Sequence, residues 1–125
     1  MADDKALDIQ WLPKVEAHNY PAAASYLGLL HSGQRVAQLI VELKAAALVQ
    51  FKAKDILRAS GLSPLGMSNA HVEKDRKKIR NGVALSPILL VRDEPSGKVV
   101  VADGYHRLCA IYDLDEDAWV QCQIV

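Results

Sequence analysis

Apolar positions recur along this chain in blocks whose spacing changes from helical to alternating. Val36, Leu39, Ile40, Leu43 and Ala47 fall at three- and four-residue steps, the stripe of an amphipathic helix from about Gln34 to Ala47. Before it, Tyr20-Pro21 opens a helix, since proline fits a first helical turn. Ala22, Ala23, Tyr26, Leu27 and Leu30 share one of its faces, and Gly33 is expected to end it. The two helices form a hairpin whose stripes favour core packing. Residues 1–19 are polar and irregular, an extension anchored by Trp11-Leu12-Pro13. Val49, Phe51 and Ala53 alternate with Gln50 and Lys52 and predict a strand. Ala53–Ser60 reads as a short helix with Gly61 just past its end, and Ser63-Pro64-Leu65-Gly66 as a loop.

From residue 68 the pattern sharpens. Ser68 or Asn69 can cap a helix over His71–Arg80 that Asn81-Gly82 stops. Val72 and Ile79 give it a thin buried seam, and its Lys and Arg residues are expected to form a solvated face. Ser86–Val91 is a buried strand entered through Pro87, Asp93–Lys98 a hairpin-like loop, and Lys98–Ala102 a second β-branched strand. Asp103-Gly104 is a turn, and Leu108, Ile111, Tyr112 and Leu114 set a helix from Tyr105. An acidic turn over 113–117 follows, then a closing strand, Trp119–Val125, with Val120, Cys122 and Ile124 on one face. Helices and strands in this order predict an α+β chain with a small mixed sheet. Residues 1–48 would be the extension and hairpin, and residues 49–125 the sheet-bearing unit.

Composition changes the picture little. A chain of 125 residues, half of them apolar, supports one packed domain. The formal net charge is +0, which argues against nucleic-acid binding by bulk charge. The distribution is uneven: residues 51–92 carry nine basic and three acidic groups, and residues 93–125 two and seven. Cys109 and Cys122 form neither a disulfide framework nor a zinc spacing and are expected in the core. No apolar run approaches a membrane span, and the acidic start (Ala2-Asp3-Asp4) shows no leader pattern, so cytoplasmic residence is expected.

The chemistry concentrates between Lys98 and Asp113. Strand, glycine turn, helix aims unpaired N–H groups and the positive end of a helix dipole at one point. Gly104 lets an anion approach the backbone. His106 and Arg107 stand in the first turn, where cations oppose the dipole unless an anion is bound. An ordinary reading stays open, with Asp103 a plain N-cap and Arg107 solvated.

Ser86-Pro87-Ile88-Leu89-Leu90-Val91, then Val99–Ala102, then Asp103-Gly104-Tyr105-His106-Arg107-Leu108-Cys109-Ala110 resembles the ParB/sulfiredoxin superfamily over about the last 75 residues. The resemblance implies that fold, with the turn holding the phosphates of a nucleotide (ADP, ATP or CTP) through Gly104, Tyr105, His106 and Arg107. It also implies that basic groups of the preceding helix reach them. Lys74 and Lys78, one turn apart, are the candidates. Sulfiredoxins place a nucleophilic cysteine where this chain has Tyr105, so sulfinic acid reduction is not expected. ParB proteins carry G-E-R-R-x-R-A, and this chain lacks the acidic residue and the later arginine. The free-serine-kinase branch, D-G-H-H-R, is nearest to Asp103–Arg107. There the Asp and His lie at the transferred phosphoryl group, which implies catalytic roles for Asp103 and His106. Mg²⁺ at Asp103 would offset a carboxylate beside phosphate. Three functions stay open: phosphoryl transfer or phosphoester hydrolysis; a non-catalytic nucleotide switch with a protein partner or second copy on the hairpin; and a DNA-binding or nuclease protein, disfavoured by charge.

Overall fold

A computed structural model describes residues 8–66 and 68–125; the acidic start at Ala2-Asp3-Asp4 lies outside them. The element order is α1 (Asn19–Leu27), α2 (Gly33–Ala45), β1 (Val49–Lys52), α3 (Ala53–Ser60), α4 (Ala70–Arg80), β2 (Ile88–Asp93), β3 (Lys98–Asp103), α5 (Tyr105–Leu114) and β4 (Trp119–Ile124). A 3-10 turn, Glu94–Ser96, joins β2 to β3. The chain is α+β with one mixed sheet in the order β1-β4-β2-β3. β1–β4 and β2–β3 are antiparallel, and β2–β4 is parallel.

Both faces of the sheet are covered, and the alternation of side chains along β2 shows how. Ile88 and Leu90 join Val99, Val101, Val120 and Cys122 beneath α3, α4 and α5. Leu89 and Val91 join Ala102 and the hairpin residues Ala23, Leu27, Val36, Leu39 and Leu43 on the other face. Residues 88–91 of β2 are therefore apolar without a break, as a strand segment between two helical layers must be. The hairpin shares its core with the sheet, so the division near residue 48 does not separate two cores. The N-terminal extension is pinned by Leu12 N donating to Leu85 O and Leu85 N to Gln10 O, both at 2.9 Å.

Two boundaries differ from the sequence reading. Gly33 opens α2 instead of closing α1, because Ser32 Oγ caps α2 at Arg35 N, and α1 stops at Leu27. Tyr26 and Leu30, expected on the buried face, are exposed, as is Ala47, which lies beyond the end of α2. Ala53 begins α3, so β1 is four residues long. No helix among the described residues is long and apolar enough to cross a membrane.

Candidate functional site

β3 delivers Asp103 to a turn that only glycine accommodates. Gly104 has φ +102°, in the left-handed region that side chains disfavour. A Cβ there would stand 2.9 Å from Ile88 Cβ, 2.7 Å from Arg107 Nη2 and closer still to Ile88 Cγ2. Gly104 is the N-cap of α5, and no side chain caps the helix among the described residues. The first intrahelical bond is from Leu108 N to Gly104 O, at 2.9 Å. The N–H groups of Tyr105, His106 and Arg107 therefore point out of the helix without intrahelical acceptors. Asp103 is not the cap. Its Oδ2 accepts from Arg107 Nη2 at 3.1 Å, and the same nitrogen donates to Pro87 O at 3.4 Å. Arg107 Nε is buried without a partner among the described residues.

α4 forms the opposite wall. Asn69 Oδ1 caps it, accepting from His71 N and Val72 N. Its seam holds Val72 and Ile79 as expected, but Arg76 lies between them and is 6 % exposed. Arg76 is thus an exception to the solvated basic face expected for most of these Lys and Arg residues. Arg76 Nε pairs with Glu73 at 3.2 Å, and its Nη1 pairs with Asp113 of α5. A guanidinium can be buried here because carboxylates from two helices meet it. The Arg76–Asp113 pair fixes how α4 sits on α5. His71 and His106 consequently face each other, ring centroids 4.9 Å apart and planes tilted by 41°.

His71, Asp75, Asp103, Gly104, Tyr105, His106 and Arg107 line one recess of about 160 Å³. The five candidates of the β3–α5 turn are thus brought together. Lys74 and Lys78 are not in the lining. They act on it through Asp75, whose carboxyl is pushed above its ordinary range by burial, opposed by Lys78, Arg107, His106 and Lys74. The sequence reading missed His71 and Asp75. A signal was present: Asp75 flanks the Val72–Ile79 seam on a helical wheel, and His71 is one turn before it, whereas Lys74 projects farther round. The Tyr105 hydroxyl donates to Ser63 O, and Leu65 N donates to Cys109 Sγ at 3.3 Å, so α5 holds the 61–66 loop. Burial raises the Tyr105 hydroxyl pKa, with Cys109 adding to the shift. Cys109 is fully buried, in keeping with a core role.

His71 and His106 apart, Asp75 and Asp103 against Arg107 leave the lining at a formal charge of about −1. A phosphate dianion therefore needs an added cation as well as the helix dipole. Among the described residues no group of three or more His, Cys, Asp or Glu side chains could hold a metal alone. Mg²⁺ commonly takes one or two carboxylates and draws its other ligands from phosphate and water, which Asp103 can satisfy. Comparisons with protein-family models, with curated proteins and with solved structures gave no match for this chain.

Proposed function

We propose that this protein binds the phosphates of a nucleotide at the Asp103–Arg107 turn, within a ParB/sulfiredoxin-like fold, and carries out phosphoryl transfer or phosphoester hydrolysis there. The observation that carries the reading is the unfinished start of α5. Three N–H groups without intrahelical acceptors follow a left-handed Gly104, and Arg107, whose buried Nε has no partner among the described residues, lines the same recess. A recess of about 160 Å³ equals roughly five water volumes. It suits one or two phosphoryl groups, with sugar and base outside.

In this reading Gly104 and the α5 N–H groups hold the phosphate oxygens, and Arg107 adds a charged donor. Asp103 would hold a Mg²⁺ ion, which would offset the phosphate charge. His106 accepts the proton of the attacking hydroxyl or water as its oxygen bonds to phosphorus and the bond to the leaving phosphate oxygen breaks. Lys74 and Lys78 supply longer-range attraction. Exposed Leu29 and Leu30 at the hairpin tip favour a second reading, a non-catalytic nucleotide switch with a partner on the hairpin.

Calorimetric titration with ADP, ATP, CTP and GTP, with and without Mg²⁺, tests the reading. Binding is expected to need Mg²⁺ at neutral pH and to weaken at least tenfold in Arg107→Ala. Product analysis of the same samples separates enzyme from switch. Binding that is unchanged in Arg107→Ala, or no binding of any nucleotide, overturns the site.

A further inference from the structure

The opposite end of the same sheet carries a second, larger concavity that the proposed function does not use. It has a volume of about 520 Å³ and lies where β2 ends and β3 begins. Its floor is Leu90, Val99 and Ile124, one from each of three adjacent strands, and Phe51 and Ile56 contribute its sides. A cleft of this size with an apolar floor falls in the range of small-molecule sites. Phe51 stays 37 % exposed there.

One residue breaks the apolar pattern. Arg92 pairs with Val99 across β2–β3, so its side chain leaves the same face as Val99 and Leu90. Burial pushes the Cys122 thiol up to about 12, and the Arg92 charge opposes that shift. Three other charged residues line the rim, Asp55, Glu94 and Lys98, and Glu94 makes no ion pair with Arg92 among the described residues. Lys98 lies against Gly61 at the C-terminus of α3, where a cation suits the helix dipole, and Asp55 pairs with Arg58 at 3.6 Å. Arg92 has no ion pair among the described residues. A cation that ends an apolar groove and is left unpaired by the carboxylates of the rim is complementary to a ligand with an apolar body and an anionic head.

We propose that this groove binds a small apolar monocarboxylate, its chain or ring on Leu90, Val99 and Ile124 and its carboxylate on Arg92. The site is separate from the Asp103–Arg107 recess and does not depend on it. The test is a methyl-NMR titration of the full chain with octanoate and, in parallel, octanol. Octanoate is expected to move the Leu90, Val99, Ile124 and Ile56 methyls and leave the His71 and His106 ring signals in place. It should bind at least tenfold more tightly than octanol, and Arg92→Gln should remove that advantage while leaving octanol binding unchanged. Arg92 is exposed, and the methyl spectrum of the variant itself reports that the fold is kept. The proposal is overturned by absence of shifts at millimolar octanoate, by equal affinity for the two ligands, or by full octanoate binding in Arg92→Gln. It is also overturned if raising the protein concentration alone moves these methyls, since a second copy would then fill the groove.

Discussion

α4 and α5 begin side by side, and their first turns are built in opposite ways. α4 is completed by its own sequence: Asn69 Oδ1 takes two of its free N–H groups, and Glu73 adds an acid to the first turn. α5 has a glycine at the same position, no side-chain cap and no acid in its first turn. Each helix carries a histidine as its second residue, and the two rings meet. Stability alone explains the start of α4. It does not explain that of α5, where a carboxylate one residue before the glycine is turned to Arg107 instead of to the free N–H groups. The contrast teaches that a helix start becomes a candidate anion site through what fails to cap it.

The strongest way to test this contrast is to spoil one start and then the other. Gly104→Ala combines a positive φ with a Cβ pressed into Ile88 and Arg107. Backbone strain and overpacking each cost about 1–3 kcal/mol, so a loss of about 3 kcal/mol is expected in urea denaturation, with phosphate binding abolished. Asn69→Ala should cost only about 1 kcal/mol, the usual value of a lost N-cap, and leave nucleotide affinity within about twofold. If the two variants lost equal stability, or if Asn69→Ala also abolished binding, the two helix starts would not differ in kind.

The sequence disclosed α5 more completely than α4. In Lys98–Arg107 a β-branched run, a single glycine and the helical spacing after it agree, and the structure places each element there. The glycine's positive φ follows from the same local chemistry. On α4 the Val72–Ile79 seam is legible, but it does not by itself say which residues beside it face α5. Lys74 and Lys78 are cationic and share a face one turn apart, yet Asp75 and His71 line the recess. The burial of Arg76 could not be read locally, because its second partner, Asp113, is 37 residues along the chain. The same limit applies to Val49 and Phe51. Alternation shows that they share a face, but not that both stay more than a third exposed on the edge strand β1.

Asp75 gives the finest test, because it is the acid that α4 contributes to α5's recess. Burial raises its carboxyl pKa above the ordinary range despite Lys78, Arg107, His106 and Lys74. A carboxyl raised in the folded state holds its proton more tightly there than in the unfolded chain. It contributes stability that is fully present below the unfolded value, about 3.9, and is lost as pH rises through the folded value. Asp75→Asn removes that loss. The variant and the parent should therefore be equally stable near pH 3, and the variant slightly more stable at pH 7, the smallest stability change of the three. The recess would move from a formal charge of about −1 to zero, so phosphate binding without Mg²⁺ should strengthen severalfold. Urea denaturation at the two pH values and calorimetry with pyrophosphate check both expectations. A variant less stable than the parent at pH 7 would mean that attraction to Lys78 and Lys74 outweighs burial. Asp75 would then be a structural partner of its own helix, and α5 alone would account for the site.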